Sequence, residues 1–219
     1  MSASRVWLLV LARDPSGAKR RLAPALDDRA RAELAVAMLG DVLDAAADVD
    51  FARRVLVTES DALGAVARDA GVETLAVPLA DTNIAAAAGF AAATAAGAGS
   101  ALVLAADLPL LRAADLEEML AAARRGDVVI APDRHVRGTN ALLLTPPSRI
   151  APAFGPDSLR VHRDRADAVG ARHALVRTAG LSTDLDDPDD LTLVTRSSAL
   201  GARTAAALTF SPLTKGATR

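Results

Sequence analysis

The chain has 219 residues, 51% of them apolar, and its net charge of −2 comes from interspersed acidic and basic side chains. That suffices to bury a sizeable core in one domain, and no long basic run is present to track a nucleic-acid backbone. One Trp, four Phe and no Tyr argue against base-stacking platforms, while the lack of Cys excludes thiolate catalysis, Cys-ligated zinc and disulfides.

Val6 to Leu11 is a continuous apolar run of strand length, the pattern of a strand covered on both faces. It lacks the basic flank and longer core of a secretion signal. Asp27 or Asp28 then caps a long helix to about Ala47, with Leu34, Met38, Val42 and Ala45 on one face. Arg54 to Thr58 reads as a second strand, and Ser60 starts a helix that Gly71 ends. Glu73 to Val77 is a third strand closed by Pro78, and Ile84 to Ala96 an Ala-rich helix. Ala101 to Ala105 is a fourth, buried strand that runs into Asp107-Leu108-Pro109. Ala114 to Arg125 is a helix closed by Gly126, and Asp127 to Ala131 a fifth strand ending at Pro132.

The second half departs from strict alternation. Asn140 to Thr145 reads as a strand stopped by Pro146-Pro147, and Phe154 to Ser158 leads into a helix through about Arg163. Ala174 to Thr178 is the last strand, ahead of a helix opened by Pro188. From Arg196 the composition turns Ser/Thr/Ala-rich with little periodicity. The expected organisation is one α/β domain over 1–195, a mixed, mostly parallel sheet flanked by helices, with a poorly ordered tail over 196–219. No apolar stretch reaches spanning length, because Ile84 to Ala105 is broken by Gly and Ser. The expectation is a soluble cytoplasmic protein with neither membrane nor nucleic acid as partner.

Ligands of such sheets bind outside the carboxyl ends of the strands, and several polar residues fall there. Lys19, one of two lysines in an Arg-rich chain, stands in a Pro/Gly-bearing loop after the first strand, which suggests phosphate handling. The second, Lys215, falls in the expected tail. Asp107 follows a buried strand, and Asp184 and Asp186 alternate around Leu185, so both carboxylates share one side of an extended segment. Oxygen ligands in small number suit Mg²⁺. For each Asp, a turn or cap role is the plainer alternative.

Arg134 to Asn140 forms a polar loop in which Gly138 permits close backbone approach and Thr139 offers a hydroxyl donor. Gly155 and Ser158 flank a helix start, where free N–H groups favour an anion. A hairpin turn and an ordinary capped helix account for the same residues. His162 lies one turn after Ser158 on the same helix face and could reach the anion site, although a lone helical His is more often a surface residue, and His173 has no supporting neighbours. The Gly-x-Ser-x-Gly elbow is absent, and Gly17-Ala18-Lys19 lacks the remainder of a Walker loop.

Taken in order, these segments resemble a known family. They are Lys19-Arg20-Arg21-Leu22-Ala23-Pro24, Ala105-Ala106-Asp107-Leu108-Pro109-Leu110, Ala131-Pro132-Asp133-Arg134, Gly138-Thr139-Asn140-Ala141-Leu142-Leu143, Phe154-Gly155-Pro156-Asp157-Ser158 and Asp184-Leu185-Asp186-Asp187-Pro188-Asp189-Asp190-Leu191. Together, over roughly Val6 to Val194, they resemble the 2-phospho-L-lactate/phosphoenolpyruvate guanylyltransferases of coenzyme F-420 biosynthesis.

The resemblance implies a nucleotide-diphospho-sugar, GT-A-like fold and in-line transfer of GMP from GTP to the phosphate of a three-carbon acid, releasing pyrophosphate. It implies Lys19, Arg21 and Asp107 as catalytic, with Lys19 and Arg21 on the GTP phosphates. Asp107 with Asp184 or Asp186 would hold Mg²⁺, and Thr139, Gly155 and Ser158 would bind phosphoenolpyruvate or 2-phospho-L-lactate. The product would pass to a deazaflavin transferase, and a homodimer is left open. Arg13-Asp14 replaces the family's usual Lys-Pro, which alters one phosphate contact, and Asp81-Thr82-Asn83 replaces Gly-Leu-Asn. Arg13 and Asn83 remain the expected nucleotide-binding residues. The rivals are another nucleotidyltransferase or glycosyltransferase-like enzyme of this fold, for example one acting on 3-phosphoglycerate, and a nucleotide-binding domain without catalysis.

Overall fold

The computed structural model describes residues 5–77 and 81–210. Pro78 and Lys215 lie outside the described residues. Fifteen principal elements follow one another: β1 (Val6–Leu11), α1 (Asp28–Ala47), β2 (Arg53–Thr58), α2 (Asp61–Asp69), β3 (Glu73–Ala76), α3 (Thr82–Ala95), β4 (Ser100–Ala105), α4 (Ala113–Ala122), β5 (Val128–Pro132), β6 (Thr139–Leu144), α5 (Ser158–Ala168), β7 (His173–Leu175), α6 (Ala179–Ser182), α7 (Pro188–Thr195) and α8 (Ala202–Phe210). A single 3-10 turn, Arg20–Leu22, follows Lys19.

The strands form one seven-stranded sheet in the order β3-β2-β1-β4-β6-β5-β7. β1 pairs in parallel with both β2 and β4, and β5 with β7. β6 runs antiparallel between β4 and β5. That inserted strand is why the second half breaks the alternation of strand and helix. It also has a consequence for function, because the N-terminal end of β6 comes to the same sheet edge as the C-terminal ends of β1, β4 and β5.

Both sheet faces are covered, as the unbroken apolar run of β1 requires. Leu8 and Val10 pack with Leu39, Leu43, Leu63 and Met119 from α1, α2 and α4. Trp7 and Leu9 pack on the other face with Phe90 of α3 and with Leu159 and Ala166 of α5. Gly89 lets α3 close on β1, since a Cβ there would stand 3.0 Å from Leu9 Cδ1. A third cluster joins Leu22 after the Lys19 loop to Leu34 and Met38 of α1, Leu185 and Leu191.

The C-terminal stretch differs from the expected aperiodic tail. Residues 202–210 form α8, whose first-turn amides from Arg203 and Thr204 donate to the Asp41 carboxylate at 3.0 and 2.8 Å. Arg203 Nε also pairs with Asp44 at 2.7 Å, and Leu208 joins the third cluster. The acceptor for the orphan N–H groups comes from α1, far away in sequence, so no local capping signal exists to be read. α5 likewise runs to Ala168, beyond the expected end near Arg163.

Candidate active site

Lys19 lies where β1 has left the sheet, in a left-handed conformation (φ 51°) that a side-chain-bearing residue holds at a cost of about 1–3 kcal/mol. Leu22, three residues on and fully buried, anchors the far end of the loop. The ammonium is itself almost buried and donates to Asp107 Oδ2 at 2.5 Å and Asp186 Oδ1 at 2.7 Å. Burial works against its charge, but Asp107 and Asp186 outweigh burial and raise the Lys19 pKa. Arg21, whose guanidinium is largely exposed, pairs with the other oxygen of Asp186. Burial would lift Asp186, yet Lys19 and Arg21 together hold it below the usual carboxylate value.

Asp184 and Asp186 reach Asp107 through the residue between them. Leu185 is fully buried, and its N–H donates to the Asp107 carbonyl at 3.1 Å. With Leu185 pinned inward, burying it being worth about 1.5–3 kcal/mol, the two flanking carboxylates turn to the cleft. The segment is locked beyond that point by Asp190, which is buried and accepts from the N–H groups of Asp186 and Asp187 at 2.9 and 3.0 Å. Arg134, from the loop between β5 and β6, closes on Asp190 at 2.6 Å.

The sheet edge forms a cleft of about 930 Å³. Arg13, Lys19, Asp107, Asp184 and Asp186 line it, and Thr139, Gly155 and Ser158 line it too. Eight of the residues singled out from sequence thus share one cavity. Arg21 acts on it through Asp186 and is not part of its lining. Asn83 is not part of the lining either. Its amide is taken up by Phe154, donating from Nδ2 to the carbonyl at 3.0 Å and accepting from the N–H at 2.6 Å. Asn83 therefore shapes the segment before Gly155. Gly138 also has an internal reason: a Cβ there would stand 2.8 Å from Asp133 Oδ2.

Two polar residues named from the sequence without a settled role are buried at the site. Asn140, at the start of β6, donates from Nδ2 to the Leu181 carbonyl at 3.1 Å and to Asp184 Oδ1 at 3.3 Å. His162, for which a surface position was the plainer of two readings, is fully buried between Thr139 and the Ala153 amide. Burial, with the charge of Arg165 second, pulls its pKa down to about 4.

Burial raises the Asp184 pKa to about 6, the Asp107 charge adds to the rise, and the Asn140 hydrogen bond opposes it. Lys19 pairs with both Asp107 and Asp186, whereas among the described residues no cation pairs with Asp184. No three acidic, His or Cys side chains among the described residues already converge as a cage. Two like-charged carboxylates facing one open cleft, with oxygen donors only, fit a hard cation that keeps much of its water.

Residues 8–198 match the Guanylyl transferase CofC like family. The chain belongs to it. A phosphoenolpyruvate guanylyltransferase of Conexibacter woesei is 41% identical over 182 residues, covering 80% of each chain. A phosphoenolpyruvate guanylyltransferase of Rhodococcus erythropolis is 36% identical over 217 residues, covering 92% of this chain and 94% of the relative. A 3-phospho-D-glycerate guanylyltransferase of Phenylobacterium zucineum is 38% identical, covering 88% and 90%. Among solved structures, a protein assigned as a nucleotide-diphospho-sugar transferase from Desulfovibrio desulfuricans G20 superposes with a TM-score of 0.80 at 16% identity, covering 94% of both chains. A 4-diphosphocytidyl-2C-methyl-D-erythritol synthase of Anaerococcus prevotii gives 0.61 at 12%, covering 88% and 97%. Those two share the fold expected from the sequence. This member of the CofC-like family is a nucleotidyltransferase. No helix among its described residues is long and apolar enough to cross a membrane.

Proposed function

We propose that this chain moves the guanylyl group of GTP onto the phosphate of phosphoenolpyruvate and releases pyrophosphate. One observation carries the reading: a buried ammonium clamped between Asp107 and Asp186 faces the same cleft as the paired hydroxyls of Thr139 and Ser158. The first wall suits a triphosphate and its counter-ion, and the second suits a small phosphorylated acid.

In this reading an oxygen of the acid's phosphate attacks the α-phosphorus of GTP in line. The bond from that phosphorus to the oxygen bridging to the β-phosphate breaks, and pyrophosphate departs with the electron pair. The reaction needs no protein nucleophile, because alignment and charge neutralisation supply most of the acceleration. Lys19 binds the phosphates and offsets charge building on the leaving group. Arg21 holds Asp186 in place, and Arg13, fixed to Thr82 Oγ1 at 2.7 Å, stands near enough to add a phosphate contact. Asp107 and Asp184, with Asp186 beside them, would hold Mg²⁺, which when bound supplies charge neutralisation to the phosphates. Thr139, backed by the Ser158 hydroxyl, and the backbone at Gly155 orient the acid.

The relatives differ in acceptor, phosphoenolpyruvate in two and 3-phospho-D-glycerate in the third, so the latter is the second reading. 2-Phospho-L-lactate, which carries the same charge with phosphate and carboxylate on the same carbon, is a third acid to compare. A guanylated enolpyruvyl or lactyl product would feed coenzyme F-420 assembly through a deazaflavin transferase in the cytoplasm. Pyrophosphate release from GTP, ATP, CTP and UTP, each crossed with the three acids, tests the reading. Release only with GTP and phosphoenolpyruvate is expected; no release from any GTP mixture defeats it.

A further inference from the structure

Thr139 and Ser158 alone do not determine how the acid-binding wall presents its hydrogens, since a hydroxyl both donates and accepts. The buried neighbour behind them does. We infer that His162 is a positioning residue, which turns the Thr139 hydroxyl proton outward to the cleft as an obligate donor to the anionic acceptor. The inference rests on the reading that Thr139, backed by Ser158, binds that acceptor.

The argument starts from a group with no choice. The Ala153 N–H can only donate, and it does so to His162 Nε2 at 2.8 Å. Nε2 therefore carries a lone pair, and a neutral imidazole must bear its proton on Nδ1. That proton points at Thr139 Oγ1, 3.1 Å away. Ser158 Oγ donates to the same oxygen at 3.1 Å. Both lone pairs of Oγ1 are then filled from behind, so the only thing Thr139 can offer the cleft it lines is its own proton. A donor with no competing acceptor suits a phosphate or carboxylate oxygen.

The imidazole is held for this task. Phe154 meets it edge-on, with ring centroids 5.3 Å apart and an interplanar angle of 74°. Arg165, one turn further along α5, donates to the Ala151 and Pro152 carbonyls at 2.8 and 2.7 Å. Together with the Asn83 clamp on Phe154, three side chains hold successive backbone groups of 151–154 leading into Gly155. Buried and beside Arg165, the ring stays neutral at ordinary pH.

Steady-state pyrophosphate release by the full chain, with phosphoenolpyruvate and GTP varied separately, tests the inference through three substitutions. Thr139→Val should raise the KM for phosphoenolpyruvate about tenfold or more, with the KM for GTP unchanged, as loss of a hydrogen bond to a charged group implies. His162→Gln keeps an acceptor for the Ala153 N–H but loses the Nδ1 proton, and should raise the same KM about tenfold. His162→Asn places an amide N–H close to where Nδ1–H stood, and should recover most of that loss. Gln and Asn variants that are equally impaired, or a KM for GTP that rises in step, would reduce His162 to packing and overturn the inference. An unchanged phosphoenolpyruvate KM in Thr139→Val would instead remove the acceptor reading beneath it. Nitrogen NMR of isotope-labelled histidine in the wild-type chain judges the tautomer without substrate or substitution. A protonated Nδ1 and bare Nε2 are expected, and the reverse overturns the inference.

Discussion

Lys19 and Asp107 are 88 positions apart in the chain, yet the ammonium and carboxylate meet at 2.5 Å. They meet because β1 and β4 are parallel neighbours from Val6↔Ser100 to Leu11↔Ala105, so the loops that follow leave the sheet at one edge. Asp186 arrives from the third direction, after the Leu185 amide has bonded the Asp107 carbonyl.

Removing the ammonium strips that centre of its cation. Lys19→Ala should lower kcat/KM for GTP by about 10²–10³, the usual loss when a preorganised electrostatic group is deleted. Lys19→Arg should not restore it, since a planar fork does not replace a point charge between two carboxylates. Near-normal turnover in either variant would remove Lys19 from the chemistry.

Chelation should abolish turnover, and added Mg²⁺ should restore it. Asp184→Asn should raise the Mg²⁺ needed for half-maximal rate on the order of tenfold, because one charged oxygen ligand is lost. Asp107→Ala should lose turnover while nucleotide affinity, measured by titration calorimetry, falls less. A chain equally active in chelator would remove the metal from the account.

Asn83 bonds Phe154 through both ends of its amide, so Asn83→Ala should disturb the acid rather than the base. The KM for phosphoenolpyruvate should rise several-fold, the typical worth of one or two hydrogen bonds, with the preference for GTP over ATP retained. Lost nucleotide preference would return Asn83 to the base-binding role expected from sequence.

His162 links folding to pH. Its folded pKa is about 4, below the ordinary 6.5. Above 6.5 both folded and unfolded chains keep the ring neutral, and the residue contributes no pH dependence. As pH falls from about 6.5 to about 4 the unfolded chain takes up the proton and the folded chain does not, so stability drops. The gap corresponds to about 3 kcal/mol. Thermal melts across that window should show His162→Gln losing less stability than the wild type. Parallel curves would contradict the burial that sets this shift.

α8 is tied to α1 through one carboxylate. Asp41→Ala removes the acceptor of the Arg203 and Thr204 amides and should cost about 1–2 kcal/mol, as loss of a helix cap does. Tm should fall by about 2–8 °C, while turnover, remote from α8, stays put.

The strands were the most legible part of the sequence, since Val6–Leu11 and Ser100–Ala105 are apolar runs covered on both faces. α1 was legible from its cap, because Asp27 accepts from the Ala30 N–H as its position implies. Lys19 and Asp107 could be gathered because strand C-termini share an edge, whereas Asp184 and Asp186 joined them only through the family resemblance. The direction of β6 could not, as local pattern does not encode which way a strand runs. Nor could α8, whose cap lies on another helix. His162 stands in an Arg/Asp-rich helix that reads as solvated; Thr139, Ala153 and Phe154 bury it, and none of them lies on that helix.

The most direct measurement follows the α-phosphorus itself. Wild-type chain is incubated with GTP labelled at that atom and with phosphoenolpyruvate. The expected result is label in a guanylated diphosphate of the acid, matched mole for mole by unlabelled pyrophosphate. Label that stays in GTP, or that appears only in free GMP, would contradict guanylyl transfer at the Lys19–Asp107 centre.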